Sequence, residues 1–157
     1  MEVRKAQLLD VSAIIALQYE CRLSPWPQSA YEEETGRIDS IFLVATSAET
    51  GPIAFITGRV LGGTKGLLAQ AEIYNLGVAE SCRGRGVGSL LLAEFLIQCL
   101  RFAVTIVFLE LRSTNLVALK FYQRHGFKKT GERANFYSDP VENATLMELD
   151  LTARSLT

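Results

Sequence analysis

Cysteine is scarce in this chain: the 157 residues include only Cys21, Cys82 and Cys99. Their number is odd, their spacing is wide and no C-x-x-C pair is present, which argues against a disulfide framework and against a zinc site. We therefore expect free thiols in a reducing compartment and no bound metal. Cys82 adjoins Arg83, but no partner base is visible in the sequence, so an inert thiol is the simpler interpretation.

Excess charge and long apolar runs are lacking as well. The 16 basic and 17 acidic residues give a formal net charge of -1, so nothing global favours nucleic acid or an anionic membrane as a partner. No apolar run approaches the length that spans a bilayer, and no signal-peptide core follows the first residues. These absences predict a cytoplasmic protein without a membrane or direct nucleic-acid partner, and they leave its oligomeric state open.

The composition is that of a folded protein. Hydrophobic residues make up 48% of the chain and charged residues 21%, which argues against disorder, and the length suffices for one real core. We predict a single domain over residues 1–152 and a frayed tail at 153–157.

Hydrophobic patterning predicts an α/β fold with alternating strands and helices. Strands are expected at residues 3–6, 41–46, 52–60, 71–78, 104–109 and 145–151, with another beginning at Phe127. Helices are expected after Asp10, from Ser29 to Gly36, at 87–102 and at 115–125, with Asp10 and either Ser113 or Thr114 as caps. A turn with Gly62, Gly63 and Gly66 precedes the central strand, and a polar stretch at 131–143 separates the last two strands.

The run 104–109 is almost continuously apolar, which is typical of a strand buried on both faces and parallel to its predecessor. A right-handed crossover through the helix 87–102 would connect it to the strand 71–78. Between that strand and helix lies Arg83-Gly84-Arg85-Gly86-Val87-Gly88. A helix start offers unpaired N–H groups and partial positive charge, and glycine permits close approach, so this turn predicts a phosphate site. Its spacing fits neither Walker A nor the dinucleotide fingerprint.

Glu110 stands at the carboxyl end of a central strand, where ligands bind in such sheets. After the almost continuously apolar run 104–109 its carboxyl should be poorly solvated, which would raise its pKa and favour proton acceptance. A salt bridge with Arg112 on the same strand face is the structural alternative. Glu72, on the other central strand, is either a rival base or a surface carboxylate.

Several segments resemble the GNAT superfamily of acetyl-CoA-dependent N-acetyltransferases. The Arg-x-x-Gly-x-Gly turn resembles its pyrophosphate loop, and LELRSTNLVALKFYQRHGF at 109–127 resembles the LEVRxSNxxAxxLYxxxGF segment of its RimI branch, which acetylates protein N-termini. Residues 71–78, 133–137 and 24–26 resemble that branch's AExxNIAV, RxxYY and FPW motifs. Gly77 stands in place of the usual alanine, and Phe136 where a tyrosine is common.

The resemblance implies one GNAT domain with a mixed, mostly antiparallel sheet, splayed parallel central strands and flanking helices. It also implies acetyl-CoA as co-substrate and roles for individual residues. Glu110 matches the general base and Tyr122 the general acid, although Tyr122 by itself would be interpreted as a core aromatic. The expected cofactor-binding residues, including the two cationic donors of the turn, are Leu76, Gly77, Val78, Arg83, Gly84, Arg85, Gly86, Val87, Gly88, Ser89, Asn115 and Tyr122. Trp26, Glu72 and Tyr137 are the expected substrate-binding residues, or else packing groups.

A protein N-terminus is the acceptor that the resemblance implies, specifically the N-terminal alanine of a small-subunit ribosomal protein. An α-amine has a pKa of about 8, so a modest base can supply the neutral nucleophile at pH 7. A small amine, an aminoglycoside or a lysine side chain is the alternative acceptor, and an acidic pocket at residues 31–34 would favour a polycation. A non-catalytic acyl-CoA-binding sensor is the alternative from another class.

Overall fold

The computed structural model describes residues 1–63 and 68–153. Within them the strands are β1 (Glu2–Lys5), β2 (Ser40–Ser47), β3 (Gly51–Gly62), β4 (Ala69–Val78), β5 (Val104–Arg112), β6 (Lys128–Ser138) and β7 (Val141–Asp150). The helices are α1 (Val11–Glu20), α2 (Gln28–Gly36), α3 (Val87–Arg101) and α4 (Leu116–Arg124). The strands form one sheet in the order β1-β2-β3-β4-β5-β7-β6. β4 and β5 pair in parallel and all other neighbours antiparallel, which confirms the predicted mixed sheet.

Each face of the sheet carries its own hydrophobic core. α3 covers one face through fully buried side chains such as Leu92 and Phe95, and Tyr122 of α4 joins the same core. α1 and α2 cover the opposite face, where Ile14 and Tyr31 are fully buried.

The prediction that the run 104–109 is buried on both faces is wrong, because α1 and α2 do not form a core over that strand. Val107 and Leu109 lie in the α3 core, whereas Ile106 and Phe108 are half-buried and belong to neither core.

β4 contains a bulge at Tyr74. In the pairing of β3 with β4, Thr57 lies opposite Asn75 and Gly58 opposite Ile73, so Tyr74 has no partner in the register. An extra residue of this kind reverses the alternation of side chains between the two faces of the sheet.

The effect of the bulge is visible in the contacts on either side of it. Ala71 and Ile73 lie in the core beneath α3, and after the bulge it is Leu76 that packs on that core. Asn75 faces the other side, where its Nδ2 donates a hydrogen bond to the Tyr31 hydroxyl at 3.2 Å.

The central strands separate at this point. Their pairing begins with Ala69 opposite Val104 and ends with Ile73 opposite Leu109, although β4 continues to Val78 and β5 to Arg112. The splayed arrangement implied by the family resemblance is thus confirmed, and it leaves an opening between the carboxyl ends of the two strands.

Of the two helix-cap predictions, Asp10 does occupy the position immediately before α1 but without a capping bond, and Ser113 or Thr114 as the cap of α4 is wrong. The buried Asp10 carboxylate accepts two hydrogen bonds from the Arg4 guanidinium, at 2.7 and 2.9 Å. α4 is capped by Asn115, whose Oδ1 accepts the Ala118 N–H at 3.1 Å. The hydroxyl of Thr114, one of the two predicted caps, is hydrogen-bonded to Glu142 instead.

The polar stretch 131–143 does not separate the last two strands. β6 continues to Ser138 and β7 begins at Val141, so both strands extend into it as an antiparallel hairpin. β6 is an edge strand with mostly exposed side chains, and its sequence therefore lacks the apolar alternation that marks a half-buried strand.

Two predictions fall outside the described residues: Gly66 of the turn before the central strand, and positions 154–157 of the tail. The domain boundary at residue 152 accordingly stays a prediction.

Candidate active site

The glycine-rich turn joins β4 to α3 as the sequence predicts. Gly84 and Gly86 have φ values of +73° and +81°, a region that favours glycine, and Gly86 is the residue immediately before α3. A Cβ atom added at either position would meet nothing within 4 Å. The backbone of the turn therefore faces open space at the start of a helix, where an anionic group can approach it closely.

A cleft of about 480 Å³ lies between this turn, the last residues of β4 and the helix α4. Every predicted cofactor residue except Arg85 lines it. Arg85 lies along a neighbouring cavity of about 690 Å³ on the other side of the turn. The two cavities share Cys82 and Val87 in their linings, so Arg85 is beside the cleft but not part of its wall.

The Arg83 guanidinium makes hydrogen bonds within the protein. Its Nε donates a hydrogen bond to the Val78 carbonyl at 3.0 Å, and one terminal nitrogen lies 3.6 Å from the Cys21 sulfur. The Cys21 thiol donates to the same carbonyl at 3.3 Å. The guanidinium is thereby held at the end of β4, beside the turn, where its charge contributes to the positive potential of the cleft.

Sequence reasoning missed the contribution of the segment after α1. Cys21 and Leu23 line the cleft, far in sequence from the other wall residues. The signal was Gly77: a Cβ atom there would lie 3.1 Å from the Cys21 sulfur and 3.3 Å from a Leu23 methyl carbon. Glycine at this position lets the segment pack directly on β4.

Tyr122 lies in the wall of the cleft and is only 6% exposed. Its ring packs edge-on against Phe121 and Phe127, with centroids 5.2 Å away in each case. Burial raises the pKa of the Tyr122 phenol above its usual range. The hydroxyl is therefore protonated at neutral pH and able to donate a proton.

Glu110 is the first residue of β5 beyond the last pair with β4. Its side chain is 16% exposed and its Oε1 lies 3.4 Å from Nε of Arg133 on β6. The expected alternative, a salt bridge with Arg112, is wrong. Arg112 instead pairs with Glu142 at 3.3 Å and lies over the Tyr137 ring, 4.3 Å from its centroid.

Glu72 lies close to Glu110. Burial and, secondly, the negative charge of Glu110 raise the pKa of the Glu72 carboxyl, while the positive charge of Arg133 opposes the shift. Two carboxylates and one guanidinium thus share the face of the sheet opposite α3. Such a perturbed acidic group beside a cleft is typical of functional sites.

Aromatic residues flank these carboxylates on two sides. The ring of Trp26, in the segment before α2, packs at a tilt against the rings of Tyr31 and Tyr74, with centroid distances of 5.3 Å in both cases. Burial and, secondly, the negative charge of Glu72 raise the pKa of the Tyr74 phenol. On the other side lies Tyr137, whose pKa is raised by burial and then by Glu110. The predicted substrate residues Trp26, Glu72 and Tyr137 are therefore brought to one region.

The candidate acid and base approach the opening from opposite faces. Tyr122 belongs to the core beneath α3, whereas Glu72 and Glu110 lie on the other face of the sheet. A reactive group placed between the separated strands would be accessible from both. This geometry can deliver a proton on one side while removing one on the other.

Residues 1–63 and 68–153 contain no cluster of three or more histidine, cysteine, aspartate or glutamate side chains suited to a metal ion. In the same residues no helix has the length and apolarity that crossing a membrane requires.

Comparison with known proteins gives consistent matches. The sequence model described as the Acetyltransferase (GNAT) family matches residues 11–127. N-alpha-acetyltransferase RimI of Mycobacterium tuberculosis is 32% identical over 126 residues, covering 80% of this chain and 76% of that protein. The ribosomal protein bS18-alanine N-acetyltransferase of Escherichia coli is 22% identical over 152 residues, 96% of this chain and 97% of that protein.

An uncharacterized protein of Mycobacterium leprae is 31% identical over 125 residues, and the chain spans 33% of its length. Among solved structures, Ard1 from Thermoplasma volcanium superposes with a TM-score of 0.84 at 28% identity, covering 95% of this chain and 96% of that one.

Proposed function

Because the chain belongs to the GNAT family of acetyltransferases, we propose that it transfers the acetyl group of acetyl-CoA to the α-amine of a protein or peptide N-terminus. The observation that carries this proposal is the separation of β4 and β5 directly after Ile73 and Leu109, with the glycine-rich turn at the end of β4. A thioester placed in that opening would be reached by an amine from the carboxylate face.

The residues present fit coenzyme A. The open backbone around Gly84 and Gly86 would hold the pyrophosphate through N–H groups at the start of α3.

Leu76, Gly77 and Val78 lie past the end of the pairing with β5 and line the cleft. In this proposal their backbone groups on the β5 side, apart from the Val78 carbonyl that Arg83 and Cys21 already occupy, would bind the pantetheine arm and stabilise the oxyanion that forms on the thioester carbonyl.

The proposed proton acceptor and proton donor, Glu110 and Tyr122, lie on opposite faces of the sheet. Glu110, directly or through one water, accepts a proton from the α-ammonium, whose ordinary pKa of about 8 makes this a modest step. The neutral amine attacks the thioester carbonyl, the carbon–sulfur bond breaks, and Tyr122 donates its proton to the departing thiolate. The nitrogen releases its surplus proton to solvent as the amide forms, and solvent returns a proton to the Tyr122 phenolate. Glu72 is the alternative base, supported by its raised pKa.

The acceptor side favours a peptide end over a polycation. Of the stretch expected to form an acidic pocket, Tyr31 and Glu34 are fully buried and Glu34 is paired with Arg59. Glu32 and Glu33 are exposed on α2 and line neither of the two cavities.

An aromatic side chain on the acceptor side, Tyr137, has the Arg112 guanidinium over its ring. The relative named as a ribosomal protein bS18-alanine N-acetyltransferase supports the N-terminal alanine of a ribosomal protein as the specific acceptor.

Coenzyme A release measured with acetyl-CoA and a panel of acceptors tests this function. The panel contains peptides beginning with alanine, serine or methionine, the same peptides with blocked N-termini, internal lysines, polyamines and aminoglycosides. We expect turnover with free alanine or serine N-termini, and a loss of about 10²-fold or more in Tyr122→Phe. Tyr19→Phe, a change at a residue 68% exposed on α1, is the matched control and should behave as the native chain.

Turnover confined to a small amine or to lysine would keep the family and discard the N-terminal acceptor. Acetyl-CoA binding without turnover on any acceptor would support the non-catalytic sensor instead.

A further inference from the structure

A chain of buried hydrogen bonds crosses the α1/α2 side of the sheet. Asn75 donates from Nδ2 to the Tyr31 hydroxyl at 3.2 Å, and that hydroxyl donates to Oε1 of Gln18 at 2.6 Å. Gln18 and Tyr31 are fully buried and Asn75 is 5% exposed. Buried polar groups linked in this way restrict one another's positions, because each loses its partner if another moves.

This series of hydrogen bonds ends on the backbone of Trp26. Oε1 of Gln18 accepts the Trp26 N–H at 2.8 Å, and Nε2 of Gln18 donates to the Trp26 carbonyl at 3.2 Å. One side-chain amide therefore fixes both backbone groups of a residue that lies outside helices and strands. Trp26 in turn packs at 5.3 Å on Tyr74, the bulged residue next to Asn75.

The segment 21–27 thus contacts two parts of the site. Its first residues, Cys21 and Leu23, line the cleft proposed for acetyl-CoA, whereas Trp26 lies on the acceptor side. The contacts that hold the two ends differ: Cys21 is bonded to the Val78 carbonyl, and Trp26 is bonded to Gln18. Loss of the hydrogen bonds made by Gln18 should therefore displace Trp26 on the acceptor side and leave Cys21 and Leu23 in the wall of the cleft.

We propose that Gln18, Tyr31 and Asn75 are positioning residues for the acceptor, which hold Trp26 against the bulge of β4 without touching substrate. The proposal rests on the proposed function, since it takes Trp26 as part of the acceptor wall. The β4 bulge then has two consequences: it separates the central strands and it turns Asn75 toward Tyr31 to orient the acceptor wall.

Kinetics of three variants test the proposal. Gln18→Met removes both bonds to Trp26, and Tyr31→Phe removes only the hydroxyl link to Asn75 and Gln18. Ile14→Val is the matched control, because Ile14 is fully buried in α1 and belongs to the same core without joining the hydrogen-bonded chain. We expect Gln18→Met to raise KM for the acceptor peptide at least tenfold, Tyr31→Phe to raise it less, and KM for acetyl-CoA to stay within twofold in all three.

Fluorescence supplies a readout that lost stability alone would not move. Trp26 is the only tryptophan of the chain, so emission excited at the indole band reports its surroundings directly. Gln18→Met should shift that emission to longer wavelength and increase quenching by acrylamide in folded protein, and Ile14→Val should change neither.

An unchanged acceptor KM and unchanged emission in Gln18→Met and Tyr31→Phe would overturn the positioning role while native turnover leaves the proposed function intact. Equal increases in both KM values would also overturn it, because they would indicate general loosening. Absence of native turnover with every peptide would instead overturn the proposed function, and with it any role in acceptor binding. If Gln18→Met fails to fold, Tyr31→Phe decides by the same criteria.

Discussion

At the scale of single residues, two neighbouring carboxylates differ in what surrounds them. Glu110 lies beyond the last β4–β5 pair and has the Arg133 guanidinium 3.4 Å away. Glu72 has a pKa raised first by burial and then by the charge of Glu110. Position favours Glu110 as the base, and the perturbed pKa favours Glu72, so substitution of each has to separate them.

We expect Glu110→Gln to lower kcat by about 10²–10⁴-fold, the range typical for loss of a general base, and Glu72→Gln to lower it less than tenfold. The matched pair keeps side-chain size and removes one negative charge in each case. Coenzyme A release under saturating peptide measures both. The reverse ranking would assign the base to Glu72.

Glu72→Gln should also change the pH dependence of stability. Because the folded protein raises the Glu72 pKa, the contribution of Glu72 to stability is fully present below the unfolded-state pKa of about 4.3 and is lost as pH rises through the folded pKa. Glutamine does not titrate, so the variant should have the higher Tm at pH 7 and lose that advantage below about pH 4. A thermal scan at both pH values checks the sign, and a lower Tm at pH 7 would contradict it.

The location of a site residue was predictable where a motif local in sequence determines it. The turn at Gly84 and Gly86 and the buried Tyr122 lie where their motifs indicate. The Glu110–Arg133 pair was not predictable, because these residues are 23 positions apart and β6 was not expected to reach Arg133 as a strand.

At the scale of elements, the β4 bulge depends on what lies opposite it. A Cβ atom added at Gly58 of β3 would collide with the Glu72 backbone carbonyl oxygen and would lie 2.7 Å from the Phe95 ring of α3. Glycine there allows β3, β4 and α3 to approach one another. A larger residue has to move either the bulged strand or the helix.

Gly58→Ala should therefore lower the free energy of unfolding by about 1–3 kcal/mol, the usual cost of overpacking a filled core. Urea titration measures the change, and a loss of acetylation larger than the loss of folded protein would indicate that the bulge itself has moved. Gly36→Ala is the control, since a Cβ atom there meets nothing within 4 Å. Equal stability of the two variants would contradict the close approach at Gly58.

Strands with a buried face were predicted well and the edge hairpin was not. The apolar run of β5 correctly identified a strand parallel to β4, although only one of its faces is covered. β6 has polar, exposed side chains and is defined by its pairing with β7. Bulges share this difficulty: nothing local in Ile73-Tyr74-Asn75 distinguishes an unpaired residue, because the register is decided by β3.

At the scale of the whole molecule, ligand binding and folding are linked. A ligand that binds only the folded chain stabilises it by about 2.7 kcal/mol when its concentration is 100 times Kd. Acetyl-CoA should therefore raise the Tm, and at a fixed concentration the increase grows with the logarithm of its affinity for the cleft. Variants that alter the cleft wall can be compared through this shift, without any assumption about the acceptor.

Gly88 of α3 offers a substitution whose two effects have opposite signs. A Cβ atom at this position would be in ordinary contact with Phe121 and Val78, each 3.5 Å away, so alanine fits the protein. Replacing a helical glycine by alanine should stabilise the free protein by about 0.4–1 kcal/mol. The same methyl group projects into the cleft and limits the close approach that a ligand makes to the backbone.

We therefore expect Gly88→Ala to have a higher Tm than the native chain without ligand and a smaller increase in Tm on addition of acetyl-CoA at one fixed concentration. Gly36→Ala, the same chemical change at the end of α2, should leave the acetyl-CoA shift unchanged because Gly36 is not part of the cleft. An undiminished shift in Gly88→Ala would contradict the assignment of this cleft to acetyl-CoA, since the ligand would then bind without contacting the start of α3. A diminished shift in both variants would mean that the loss does not arise at the cleft.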